Sequence, residues 1–135
     1  MYGFDNVYDL QFINKLTGYM ATIYSGSQAT ILKTKDGGLT WNIEWHSNYQ
    51  GERFTGIFYL NEAKGFAIRY DKLCMTLDSS KTWNPVFTTD NNDWLTSMWF
   101  VNDQKGFFTG EQGVLYQTND GGQKWKQAPY IDSYP

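Results

Sequence analysis

The chain has a single cysteine, a single histidine and only two arginines in 135 residues, and each shortage closes off a class of function. Cys74 has no partner for an intrachain disulfide, and its place in the apolar run Leu73-Cys74-Met75 predicts a small buried hydrophobe. Without cysteine or histidine partners, His46 heads no zinc site of ordinary composition, so neither a metal nor a cofactor is expected. No apolar run approaches the roughly 18 residues of a membrane-spanning helix. The net charge is −3, with 11 basic and 14 acidic residues mixed along the chain. No basic run tracks a phosphate backbone, which argues against nucleic acid as a partner. The opening residues Met1 to Asn6 show neither the basic nor the apolar region of a signal peptide. The expectation from the sequence is a cytoplasmic location, or a secreted or lumenal one if a leader has been removed. Apolar stripes at helical spacing are missing too, so almost no helix is expected.

What the chain has instead is a repeat. Thr34-Lys35-Asp36-Gly37-Gly38-Leu39-Thr40-Trp41 returns as Thr76-Leu77-Asp78-Ser79-Ser80-Lys81-Thr82-Trp83 and as Thr118-Asn119-Asp120-Gly121-Gly122-Gln123-Lys124-Trp125. The three tryptophans are spaced 42 residues apart. Upstream of each motif the same features recur. An apolar run (Val7 to Ile13, Phe54 to Leu60, Leu95 to Val101) is followed by an Asn-initiated turn ending at Gly18, Gly65 or Gly106, and then by two further runs. Each unit therefore holds four strand-length runs separated by Asn, Asp and Gly, the residues suited to tight turns. Four strands in about 42 residues is the size of one β-propeller blade. The spacing predicts one repeat domain over 1–135, all-β, with antiparallel four-stranded blades at about 7–45, 54–87 and 95–128. Trp41, Trp83 and Trp125 are expected to be buried at equivalent places.

The motif resembles the Asp-box, or BNR repeat, Ser/Thr-x-Asp-x-Gly-x-Thr-Trp. With its upstream strands it is most similar to the propeller repeats of the photosystem II stability and assembly factor family. Asp36, Asp78 and Asp120 would accept hydrogen bonds from turn amides. Gly38 and Gly122 would supply positive φ, and the tryptophans would anchor the turn. The alternative, that these aspartates bind metal or act as acids, is weaker, because in the family the box is structural and peripheral. Two departures stand out: Ser79-Ser80 replaces Gly-Gly, implying a strained or differently shaped turn, and Lys124 replaces the usual threonine.

Catalysis finds little support. Sialidases bearing this box hold their substrate with an arginine cluster, and Arg53 and Arg69 do not make one. No Gly-x-Ser-x-Gly elbow accompanies His46, which lies in polar sequence read as loop. The chain thus reads as a non-enzymatic binding or assembly module for a protein or peptide. The alternative is a carbohydrate-binding propeller or a fragment of an Asp-box glycosidase, with Trp94, Asp93 and Asn92 as the best sugar platform. The linkers between blades and the second-to-third-strand loops, including Ser25 to Gln28, are expected at one end of the channel. There they would present His46, Tyr49, Arg53, Arg69, Tyr70, Asp71, Trp94 and Glu111 as ligand-binding residues. Trp45 and Trp99 read as fillers between blades.

Three blades are too few for a closed ring of about four to eight. The resulting expectation is half of a six-bladed propeller closed by homodimerisation, the alternative being a part of a longer propeller. Val7, Leu10, Phe12 and Tyr19 would meet Phe100, Phe107, Leu115 and Tyr116 of the partner, although strand alternation lets only part of each set reach the joint.

Overall fold

The computed structural model describes residues 4–24 and 26–128. Three antiparallel four-stranded sheets follow one another along the chain. The first contains β1 (Phe4–Phe12), β2 (Gly18–Tyr24), β3 (Gln28–Thr34) and β4 (Asn42–His46). The second contains β5 (Gly56–Tyr59), β6 (Gly65–Arg69), β7 (Lys72–Thr76) and β8 (Asn84–Thr88). The third contains β9 (Leu95–Phe100), β10 (Gly106–Gly110), β11 (Leu115–Thr118) and β12 (Lys126–Gln127). Each sheet is a meander, hydrogen-bonded in sequence order. A 3₁₀ turn, Asp90–Asn92, lies in the linker before β9.

The repeated residues do the same local work in every blade. Asn14, Asn61 and Asn102 each accept two backbone amides in the first turn, at 2.8–2.9 Å. This Asx geometry fixes the reversal before the second strand. Gly18, Gly65 and Gly106 then open that strand because an aromatic ring covers them. A Cβ at these positions would stand 2.9 Å from the Phe12 ring, 2.7 Å from Tyr59 and 2.5 Å from Phe100, respectively.

The third-to-fourth-strand turn is equally regular. Thr34 Oγ1 donates to Asp36 Oδ1 (2.8 Å) and accepts from the Gly38 amide (2.9 Å). Thr76 and Thr118 make the same pair of bonds to Asp78 and Ser80, and to Asp120 and Gly122. The aspartates take the amides of Thr40, Thr82 and Lys124 at 2.9–3.0 Å. Thr40 and Thr82 add hydroxyl bonds to Asp36 and Asp78 at 2.5 and 2.7 Å. Lys124 has no hydroxyl to offer at the third turn. Ser79 and Ser80 keep the same shape at φ 61° and 69°, beside 74° and 93° for Gly37 and Gly38. The turn is therefore strained and not differently shaped, since side chains with a Cβ rarely adopt this conformation.

Packing between blades uses opposite faces of consecutive sheets. Tyr19, Ala21, Ala29 and Ile31 of the first blade bury against Phe54, Ile57, Tyr59 and Ala67 of the second. Tyr19 stacks on Tyr59 with centroids 3.6 Å apart and planes 5° off parallel. The second joint repeats the arrangement: Phe66 stacks on Phe100 at 4.7 Å and 20°, within a core that includes Ile68, Leu73, Leu95 and Phe108. Gln11 bonds Tyr59 through both its amide nitrogen (3.1 Å) and its amide oxygen (2.6 Å), and Asp9 accepts the Ile57 amide at 2.9 Å. Lys33, 6% exposed, crosses the first joint to Glu62 at 2.9 Å. Cys74 is buried, which pushes its thiol up to about 11.

Several expected positions need correction. Trp99 fills no gap between the described blades; it is 64% exposed, touching Phe58 edge-on at 5.2 Å. Tyr19, Phe100 and Tyr116 point into the two internal joints, not toward a partner. Leu10 and Phe12 do lie on the uncovered face of the first blade, at 51% and 41% exposure. The three motif tryptophans are half-buried, not fully buried. Trp83 and Trp125 pack on the two joints, while Trp41 meets Phe12 edge-on at 6.0 Å. Trp45 does fill the first joint, stacked on Phe54 at 5.3 Å.

Candidate functional site

The linkers and second-to-third-strand turns gather at one end because backbone bonds tie them together. The Gly51 amide donates to Ser27 O, Thr89 to Asp71 O, Leu95 to Tyr70 O and Glu111 to Trp94 O, all at 2.9 Å. Ser25 lies outside the described residues.

At the inner rim of this end sits a cationic and aromatic group. The Arg53 guanidinium lies 5.9 Å from the ring centroids of both Tyr8 and Tyr70. Tyr70 is half of the two-residue turn between β6 and β7, with Arg69 paired to Lys72. It adopts φ 56°, a strained value for a non-glycine residue. Its hydroxyl donates to Gly51 O at 2.8 Å, pinning the ring beside the linker that carries Arg53. Trp94 leans on Tyr70 with centroids 5.3 Å apart and remains 51% exposed. The neighbouring Tyr70 first, and then Tyr8, raise the Arg53 pKa above its ordinary value, and a guanidinium is charged at any working pH. Tyr8, Arg53, Tyr70 and Trp94 come from the first blade, the first linker, the second blade and the second linker.

A cavity of about 230 Å³ opens beneath the inner strands, lined by Tyr8, Asp9, Thr55, Ile57, Thr96 and Ser97. His46, Tyr49 and Arg69 belong to a separate cavity of about 170 Å³ between the first two blades. There Arg69 is paired to Glu52 at 2.7 Å, and Glu52 also takes the Ser47 hydroxyl. His46 ends β4 opposite Thr30 and does not lie in a loop. Asp71 is engaged with Lys72 at 3.2 Å. Glu111 is exposed, its backbone fixed by Trp94 O.

The proposed sugar platform does not assemble. Asp93 is 4% exposed and takes the Gln112 amide at 3.0 Å, so it does not stand beside Trp94 at the surface. A larger cavity, about 440 Å³, lies away from the loops among Gln117, Asn119, Asp120 and Lys124 at the outer edge of the third blade. Among the described residues no group of three His, Cys, Asp or Glu side chains is placed to hold a metal ion. No helix among them is long and apolar enough to cross a membrane. Tyr8 was missed by the sequence reading; its only signal was an aromatic residue at the start of the first repeat.

No protein-family model matches the chain. It is 27% identical over 109 residues to the chloroplastic photosystem II stability/assembly factor HCF136 of Arabidopsis thaliana. The chain has the fold of β-propeller blades and shows homology to this assembly factor. The match takes in 76% of the chain but spans only 27% of the relative. Among solved structures, YCF48 bound to D1 peptide superposes with a TM-score of 0.71 at 20% identity, over 90% of this chain and 40% of that one. YCF48 from Cyanidioschyzon merolae gives 0.67 at 19% identity, over 90% and 39%. The chain thus corresponds to 40% or less of the length of each of these three proteins.

Proposed function

We propose that the chain is a non-enzymatic propeller module that binds a peptide segment of a partner protein across Tyr8, Arg53, Tyr70 and Trp94. The carrying observation is the Arg53 guanidinium held against two tyrosine rings beside a half-exposed tryptophan. Aromatic and arginine side chains on a rigid frame are the types that dominate peptide and protein recognition. The D1 peptide bound to YCF48 supports a peptide as the ligand class. The Thr-Asp turns are read as structural Asp-box turns holding the frame. Two copies closing a six-bladed ring complete the module.

A labelled D1 peptide and an array of random-sequence peptides are suitable probes. Binding that falls about tenfold or more in Arg53→Ala and in Trp94→Ala, with unchanged melting, is the expected result. Peptide binding indifferent to both substitutions, or glycan binding abolished by Trp94→Ala, overturns it.

A further inference from the structure

The joint between the first two blades is filled differently from the joint that follows it. Ala67 pairs with Cys74 in the second blade, and Phe108 pairs with Tyr116 at the same register in the third. At the second joint the Tyr116 ring packs on Phe108 at 4.8 Å and on Phe87 at 4.7 Å. Trp45 is the first blade's counterpart of Phe87, since each stands on the fourth strand opposite a buried aliphatic residue, Ile31 or Leu73. In the first joint an alanine and a thiol thus take the places of the two rings that meet Phe87.

The cavity of about 170 Å³ lies in this joint, with Cys74 in its wall. Among the described residues, all of its lining comes from the first two blades and the linker between them. Three rings form its apolar part: Phe54 stacks on Trp45 at 5.3 Å and meets Trp83 at 5.3 Å. An apolar cavity of about 150 Å³ takes up one benzene molecule, so this one has room for a single ring. Its polar part is a connected group, in which Glu52 pairs with Arg69 at 2.7 Å and accepts the Ser47 hydroxyl. Glu52 stands where Asp93 does, two residues before a buried anchor, Phe54 or Leu95. At the second joint burial, and then the charges of Asp90 and Asp93, raise the Tyr116 pKa. The Tyr116 hydroxyl therefore already lies in the field of the residue equivalent to Glu52.

We infer that the cavity of the first joint is a receptor pocket for one phenolic ring, supplied as a tyrosine side chain by a partner segment. The ring takes the place that Tyr116 fills from within the chain at the second joint, beside Trp45 and Cys74. Its hydroxyl meets the Ser47, Glu52 and Arg69 group. A hydrocarbon ring leaves that group unmet, whereas a phenol joins an apolar body to a polar tip. The pocket is separate from the group around Arg53 and Trp94 and does not rest on the function proposed for it.

The probes are p-cresol, which is the tyrosine side chain alone, and toluene, the same ring without the hydroxyl. Each is titrated into the full chain with the indole resonances of Trp45 and Trp83 as the readout. Saturable binding of p-cresol is expected, with a Kd of about 1 mM or below and at least about tenfold tighter than toluene. N-acetyltyrosinamide is expected to displace it. Cys74→Tyr returns the ring from within, as Tyr116 does, and is expected to abolish binding, with circular dichroism confirming the fold. Cys74→Met fills the same space with a more adaptable chain and serves where the tyrosine variant does not fold; it is expected to weaken binding at least about tenfold. No saturable binding of p-cresol, toluene bound as tightly, no displacement by N-acetyltyrosinamide, or binding unchanged in the Cys74 variants overturns the proposal. Binding lost in Trp94→Ala and kept in Cys74→Met overturns it too, because the ring then sits at the inner rim.

Discussion

Tyr59 and Ser80 share a buried hydrogen bond between their hydroxyls, 2.7 Å long. It offsets the cost of a serine where the other two blades have glycine. Trp41 Nε1 donates to Gly38 O at 3.2 Å and Trp125 Nε1 to Gly122 O at 2.9 Å. Trp83 Nε1 is buried without such a bond. The second blade has exchanged an indole bond within the turn for a hydroxyl bond to Tyr59 of β5.

The two serines are therefore expected to respond differently to glycine. Both sit at positive φ, so each gains relief of strain worth about 1 kcal/mol. Ser79→Gly keeps that gain and raises stability by about 0.5–1 kcal/mol. Ser80→Gly strands the buried Tyr59 hydroxyl, at about 1–3 kcal/mol, and ends neutral or destabilised. Urea denaturation of both variants decides the point; equal effects would show that the Tyr59 bond contributes nothing.

The same change at the three opening glycines is expected to have unequal costs. Gly106→Ala drives a methyl into Phe100, which is 4% exposed and stacked on Phe66. Overpacking of this kind costs about 1–3 kcal/mol. Gly65→Ala meets Tyr59, 2% exposed, and is expected to match it. Gly18→Ala meets Phe12, 41% exposed, whose ring has room to move aside, so it is expected to be nearly neutral. Thermal melts of the three variants at low concentration give the order.

Acid is expected to loosen the turns late. The Thr40 hydroxyl, then the Thr40 amide, hold the Asp36 carboxyl down at about 2. Asp78 is lowered chiefly by the Thr82 hydroxyl, and Asp120 chiefly by the Lys124 amide. A carboxyl lowered on folding stabilises the fold fully above its unfolded value of about 3.9, and that contribution is lost as pH falls through the folded value. For Asp36 the window runs from about pH 4 to about pH 2. Melts across it are expected to fall less steeply in Asp36→Asn than in the parent; parallel curves would remove the turn from the acid response.

The threonine that opens each turn is expected to matter most where it is best covered. Thr76→Val keeps the shape but deprives the buried Ser80 amide of its 3.0 Å acceptor. Loss of about 1–3 kcal/mol is expected. Thr34→Val does the same to the Gly38 amide, which is only partly buried, and costs less. Amide exchange at Ser80 and Gly38 reads the difference directly.

The residues that repeat in phase were legible: Asn14, Asn61 and Asn102, the opening glycines and the Thr-Asp pairs all act through neighbours close in sequence. Ser79-Ser80 showed as a departure, but its accommodation depends on Tyr59, some twenty residues earlier. Trp99 misled because strand alternation says which side a residue takes and not whether a blade stands there. Tyr8 joined Arg53 and Tyr70 across three elements, with β1 irregular on both sides of Val7, where period-two reading loses its register. His46 looked like loop because its polar neighbours hid a ladder bond to Thr30.

Since every hydrogen-bonded ladder among the described residues joins strands adjacent in sequence, a growing chain can finish the first sheet once β4 has left the ribosome. The ring of Tyr19 is then uncovered until Tyr59 follows. At a synthesis rate of about 5–20 residues per second, one repeat takes about 2–8 seconds to emerge. For that interval the face around Tyr19, Ala29 and Ile31 is a sticky surface on a nascent chain, and each repeat acts as the intramolecular chaperone of the one before it.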